Sequence, residues 1–184
     1  VNETSENYLK NVDKTIEMKK EELPSTNVDS IDNMFSYQQG EAVKAGIEFL
    51  LKVTGSVTDM VENVIEKERL ETLIADHCKD AIIAIGHSKN KLRSIICNIG
   101  IVDNCYEFSV TDSGIPFEPE TLMKLGKEAV TTHEETGGTG IGFMTTFETM
   151  EKTGASLIIT ELTNEPESFS KTIAIRFDGL KQYR

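Results

Sequence analysis

Long hydrophobic runs are absent: no stretch of the 184-residue sequence approaches the ~18 consecutive apolar residues of a membrane-spanning helix. The first residues, Val1 to Glu6, also lack the charged stretch and apolar core of a secretory signal peptide. The sequence therefore predicts a soluble chain that makes no direct contact with a membrane. Because it begins without methionine, we interpret it as a piece of a longer protein.

Basic residues are scarce. The chain has 19 Lys and Arg side chains against 31 Asp and Glu, which gives a formal net charge of −12. A nucleic-acid-binding surface needs a clustered basic stripe, and the sequence contains none. We therefore exclude nucleic acid as a partner and expect any anionic ligand to be bound locally, by a metal ion and backbone amides.

Cysteine is also sparse, with only Cys78, Cys97 and Cys105. An odd number of cysteines without metal-ligand spacing, each in an apolar-rich segment, predicts reduced thiols in an intracellular domain. The length allows one sizeable hydrophobic core and is short for two. We expect one domain with an N-terminal appendage.

A glycine-rich run is the most informative feature that is present. Residues 137 to 143 are Gly-Gly-Thr-Gly-Ile-Gly-Phe, and the pattern that follows predicts a helix to about Thr153. Glycines at such a turn let backbone N–H groups at the helix N-terminus face an anion, which is typical of phosphate binding. No Lys-Ser or Lys-Thr follows, as a P-loop requires, and the spacing differs from the Rossmann pattern.

Asp112 precedes this run, at the end of a predicted strand. Strict alternation places it on the same face as Tyr106, Phe108 and Val110, which is the face we expect to meet the core. By itself, an Asp before a Gly at a strand end is more often an ordinary turn residue. The strand belongs to a predicted hairpin that turns at residues 102 to 104.

Two further carboxylates, Asp76 and Asp80, lie four residues apart on a predicted helix from about Glu66 to Gly86. Like charges at this spacing destabilise a helix mildly unless a cation lies between them, and a magnesium ion would fill that need. The carboxylates flank an apolar face formed by Leu70, Ile74, His77, Cys78, Ala81 and Ile85.

The order of these three elements resembles the GHKL superfamily of ATPases, which includes gyrase, the ninety-kilodalton heat-shock chaperones, sensor histidine kinases and MutL. The resemblance runs from about Lys44 to Phe177. Alternating strands at about 47–53, 93–111, 156–161 and 171–177, with intervening helices, predict an α+β two-layer α/β sandwich with helices on one face of a mixed sheet. The resemblance implies that this sandwich is the Bergerat-type ATP-binding fold.

By the same resemblance, Asp80 corresponds to the magnesium ligand and Asp112 to the residue that binds the adenine amino group, while Gly114 lets the base approach. Asp76 would be the catalytic general base. The lid between the motifs would contribute Thr132, His133 and Lys127. The phosphate side would be formed by Gly138, Thr139, Gly140, Ile141 and Gly142. ATP and Mg²⁺ are the implied cofactors.

Three positions depart from the family pattern. Asp80 replaces an asparagine, Pro116 stands where a second glycine is usual, and His133 stands where many histidine kinases have a lysine. We expect these differences to affect rate more than fold.

Within the superfamily, the length and short lid favour the catalytic domain of a sensor histidine kinase, similar to peptide-sensing quorum-type receptors. Residues 1–43 would be a helical appendage, as a remnant of the dimerisation region or as a solvated surface helix, and residues 44–184 the ATP-binding domain. The resemblance implies a homodimeric receptor with this part in the cytoplasm, a phosphoacceptor histidine on a helical domain, and a response regulator downstream. The alternatives are an anti-sigma-factor-type serine kinase and a non-catalytic nucleotide-binding scaffold.

Overall fold

The computed structural model describes residues 22–125, 141–162 and 167–184. These ranges contain five helices and five strands. In chain order, they are α1 (Asp29–Lys44), β1 (Glu48–Thr54), α2 (Val57–Asn63), α3 (Lys67–Gly86), β2 (Ser94–Val102), β3 (Cys105–Asp112), α4 (Pro119–Leu125), α5 (Ile141–Thr153), β4 (Ser156–Glu161) and β5 (Lys171–Arg176).

The five strands form one mixed sheet in the order β1-β2-β3-β5-β4. Only the β1–β2 pair is parallel, and the other three pairs are antiparallel. The predicted hairpin is confirmed: Asp103 and Asn104 at its turn have φ values of 47° and 62°. Two consecutive left-handed residues match the twist of the flanking strands, so they fix the register in which Ile95 lies opposite Asp112.

The core lies between the sheet and α3. Phe108 and Val110 of β3 are buried, as are Ile95, Cys97 and Ile99 of β2, whereas Ile101 near the end of β2 is exposed. All six residues that the sequence placed on the apolar face of α3 are buried as well. The three cysteines are free thiols, and the Sγ atoms of Cys78 on α3 and Cys97 on β2 lie 3.6 Å apart within this core. The predicted α+β class is therefore confirmed.

Helix α1 packs on the same core. Ile31 and Phe35 are fully buried, and the Phe35 ring lies 6.4 Å from that of Phe108 on β3. Residues 29–44, which we placed mostly in the appendage, therefore pack on this core through one face of α1. Residues 1–21 of the expected helical appendage lie outside the described residues, and positions 22 and 23 are not helical.

Arg93 fixes the ends of α1 and α3 relative to each other. Its guanidinium donates from Nε to the carbonyl of Gly46 at 3.3 Å, from Nη2 to that of Ala45 at 3.0 Å, and from Nη1 to that of Ile85 at 3.3 Å. Carbonyls at helix C-termini lack intrahelical partners, so this one side chain satisfies groups of both helices. Within the described ranges, no helix is both long and apolar enough to cross a membrane.

Candidate functional site

Asp112 is the last residue of β3, and its carboxylate is buried on the face that packs against α3. Its Oδ1 atom accepts hydrogen bonds from the Gly114 backbone N–H and from Nζ of Lys171, each at 2.8 Å. Burial raises the pKa of Asp112, while the charge and hydrogen bond of Lys171 oppose that shift. The strand end thus presents a paired carboxylate inside the domain.

Lys171 is a site residue that the sequence reasoning missed. It is the first residue of β5 and lies directly opposite Asp112 across the sheet. Its ammonium also donates to the backbone carbonyl of Ile115 at 2.6 Å and lies 5.3 Å from the centroid of the Phe117 ring. A signal was present, because Lys171 shares the parity of two apolar residues, Ile173 and Ile175, and therefore points inward with them.

Gly114 marks a close approach between the strand end and α3. A Cβ atom at this position would lie 2.6 Å from Cβ of Ala84, 2.7 Å from the Ala84 carbonyl carbon and 2.8 Å from Oδ1 of Asp112. The next residue, Ile115, donates its backbone N–H to the carbonyl of Ala84 at 3.1 Å. The glycine is therefore needed for helix–strand packing, which the sequence did not predict; its expected role in admitting a base stays a prediction.

The proposed catalytic base, Asp76, lies where α3 meets α5. The side chain is partly buried, and its Oδ2 atom is buried without a hydrogen-bond partner among the described residues. Burial raises the pKa of Asp76, and a hydrogen bond with Thr145 and the charge of Lys79 act against this shift. Asp80, one turn further along α3, is also partly buried.

His77 forms the adjoining contact between α3 and α5. Its Nε2 atom lies 2.8 Å from the hydroxyl oxygen of Thr146, and its ring meets that of Phe143 edge-on at 5.7 Å. Complete burial lowers the pKa of His77 from 6.5 to about 4, so the imidazole is neutral at physiological pH. It is a core residue, as the sequence indicated.

The structure gathers the site around three elements, namely α3, the start of α5, and the segment that follows β3. Phe117 connects the last two, since its ring lies 6.1 Å from that of Phe143. Helix α5 begins at Ile141, within the glycine run of residues 137 to 143, and Gly142 lies in its first turn. The other predicted residues lie outside the described ranges: Lys127, Thr132, His133, Gly138, Thr139 and Gly140.

The donor set on α3 suits a hard cation. Over the described ranges, no group of three His, Cys, Asp or Glu side chains could form a complete protein cage for a metal. Magnesium does not need one, because it typically binds one or two carboxylates together with phosphate oxygens and water. Asp76 and Asp80 supply two such carboxylates, and the unpartnered Oδ2 of Asp76 needs a cation or a donor. The residues present therefore fit Mg²⁺.

No model of a known protein family matches the chain, and no curated protein sequence matches it. Solved structures do. The catalytic domain of histidine kinase ThkA, in a nucleotide-free form, is 15% identical with a TM-score of 0.57, over 85% of this chain and 94% of that one. The mycobacterial sensor histidine kinase MprB is 14% identical with a TM-score of 0.54, over 79% and 92%.

A third similar structure is full-length ShkA in complex with AMPPNP, which is 14% identical with a TM-score of 0.56 and covers 85% of this chain. The match spans 31% of ShkA, so only one part of that longer protein corresponds. Together, the three structures confirm the resemblance at the level of architecture: this chain has the fold of histidine kinase catalytic domains.

Proposed function

We propose that this chain is the ATP-binding catalytic domain of a sensor histidine kinase, which transfers the γ-phosphate of ATP to a histidine on a separate helical domain. The observation that carries the proposal is the buried Asp112 carboxylate at the end of β3, facing α3. A buried acceptor at this place is suited to the amino group of a purine. The shared fold and the AMPPNP-bound relative support the assignment.

Phosphoryl transfer requires mainly that the reacting groups are positioned and that the charge on the phosphates is neutralised. The remaining residues would serve these two needs. Asp80 and Asp76 would hold Mg²⁺, which neutralises charge on the phosphates when bound. Asp76 would also accept a proton from the attacking group, and burial raises the pKa of its carboxyl, as suits a general base. Backbone N–H groups at the start of α5 would receive phosphate oxygens.

The phosphoacceptor would belong to another domain. His77 is fully buried and hydrogen-bonded, so it cannot receive a phosphoryl group in the folded chain. His87 is the C-terminal cap of α3, a helix whose apolar face is buried in the core of this domain. In the full protein, which we propose to be a homodimeric receptor with this part in the cytoplasm, residues 1–43 would lead from the dimerisation region, and a response regulator would receive the phosphate.

The first test is binding of ATP, with and without Mg²⁺, measured by titration calorimetry. Asp112→Asn should weaken ATP binding by about 10- to 150-fold, since a hydrogen bond to a charged group contributes about 1.5–3 kcal/mol. Asp103→Asn is the matched control: it removes a carboxylate at the other end of the same strand pair, where the side chain is 82% exposed. Equal affinity of both variants and wild type for ATP would refute the adenine site.

Magnesium dependence tests the α3 carboxylates. Asp80→Asn should make ATP affinity depend less steeply on Mg²⁺, because the ion screens one negative charge fewer. ATP binding that is as strong in chelator as in Mg²⁺ would show that Asp80 has no metal-binding role.

The second test is phosphotransfer from labelled ATP to a helical domain with an acceptor histidine. We expect acid-labile, base-stable label on that domain and little on this chain. Acid-stable label on a protein serine would instead identify an anti-sigma-type kinase. ATP binding without any Mg²⁺-dependent turnover would identify a scaffold.

A further inference from the structure

The buried ammonium of Lys171 has one N–H donor without a hydrogen-bond acceptor among the described residues. Its side chain is only 5% exposed, and a protonated lysine has three N–H donors. One donates to Oδ1 of Asp112 at 2.8 Å and a second to the carbonyl of Ile115 at 2.6 Å. Within residues 22–125, 141–162 and 167–184, no hydrogen-bond acceptor takes the third, and the centroid of the Phe117 ring lies 5.3 Å from Nζ.

Asp112 likewise has one carboxylate oxygen, Oδ2, that accepts no hydrogen bond from the described residues. Both hydrogen bonds that the structure gives to this carboxylate go to Oδ1, from Lys171 and from Gly114. No residue of the described ranges donates to Oδ2. The two strands therefore place a carboxylate acceptor and an ammonium donor side by side, held in register by the cross-strand pairing of residues 112 and 171.

We propose that Lys171 is a specificity-determining residue, which donates to ring nitrogen N1 of adenine while Asp112 accepts from the adjacent exocyclic amine. The inference rests on the proposed function and adds a second contact to the same site. Adenine carries these two groups next to each other, as an acceptor beside a donor, so the base edge and the ion pair are complementary.

The same geometry disfavours guanine twice. At the corresponding positions, guanine has a carbonyl oxygen, which would face the carboxylate, and a ring N–H, which would face the ammonium. Mismatched polar groups in a buried site are costly because water cannot satisfy them. A site with Asp112 alone would reject guanine through one contact, whereas the pair rejects it through both.

The ring of Phe117 lies over the Lys171 ammonium. Its ring centroid is 5.3 Å from Nζ, a distance typical of a cation–π contact, and its backbone N–H donates to Glu161 at 3.2 Å. We expect the adenine ring to enter beside this phenyl ring, so that the charged pair stays covered by aromatic surface when the nucleotide binds.

The experiment compares ATP, GTP and 1-deaza-ATP, in which a C–H group replaces N1, by calorimetric titration of wild type and Lys171→Met. Wild type should bind 1-deaza-ATP at least about tenfold more weakly than ATP, as expected for a lost hydrogen bond to a charged donor. In Lys171→Met the two ligands should bind with similar affinity. Lys44→Met, which replaces an exposed lysine on α1, is the control and should keep the wild-type preference.

The outcomes separate this inference from the function on which it rests. Equal binding of ATP and 1-deaza-ATP to wild type would overturn the role of Lys171 and leave ATP binding intact. A preference that persists in Lys171→Met would assign the N1 contact to another group and also overturn it. Failure of wild type to bind ATP would refute the proposed function itself. Equal binding of the two ligands to wild type overturns the inference even if Lys171→Met does not fold.

Discussion

Acidification should destabilise this domain through His77. Burial lowers the pKa of His77 from 6.5 to about 4, so the folded state holds the imidazole neutral where the unfolded chain would protonate it. This contribution to stability is complete above pH 6.5 and is lost as the pH falls towards 4. The physical cause is the absence of water around a ring that contacts only Phe143, Thr146 and the rest of the core.

The expected loss follows from the two pKa values. Between about pH 7.5 and about pH 5, proton linkage to this one histidine should remove about 2 kcal/mol from the free energy of unfolding. Towards pH 4 the loss approaches about 3 kcal/mol. Marginally stable domains have about 5–15 kcal/mol in total, so an effect of this size is measurable.

Urea unfolding at the two pH values, in wild type and His77→Gln, measures it. Glutamine keeps a polar group near Thr146 but does not titrate, so the variant should lose about 2 kcal/mol less than wild type on acidification. Burial raises the pKa values of Asp76, Asp112 and Glu107, and raised acid pKa values add stability as the pH falls. These contributions are common to both proteins and cancel in the difference. The same loss in both proteins would refute the argument.

Two further predictions concern the packing around Asp112. Breaking the buried ion pair with Lys171→Met should cost about 3–5 kcal/mol of unfolding free energy, whereas the double variant with Asp112→Asn should recover much of it, because no unpaired charge remains. Additive effects in urea unfolding would contradict a direct pair. Gly114→Ala should cost about 1–3 kcal/mol, because the new methyl group would overlap Ala84 on α3. Gly40→Ala in α1, where the added Cβ meets nothing within 4 Å, is the control and should stabilise by up to about 1 kcal/mol. Equal melting temperatures for the two glycine variants would contradict the close approach of residue 114 to Ala84.

Much of the fold was predictable from local patterns. Period-two alternation located the strands, and the helical period of residues 70 to 85 identified the buried face of α3, because side-chain direction depends only on the local backbone. The same alternation placed Asp112 on the core face of β3, and the structure confirms it. The sequence patterns did not identify α2, because a single short helix has too few residues to establish a period.

The sequence by itself determined which elements form and which carboxylates face inward, since each is a matter of a few neighbouring residues. Only the tertiary structure decided what those carboxylates meet. Sheet order places β5 rather than β4 beside β3, and this brings Lys171 to Asp112 across 59 positions of chain. The packing of α3 against the strand end likewise makes Gly114 obligatory. Such contacts depend on how elements far apart in the sequence pair and pack. The burial of the whole core determines that arrangement, and the periodicity of a single helix or strand carries no information about it.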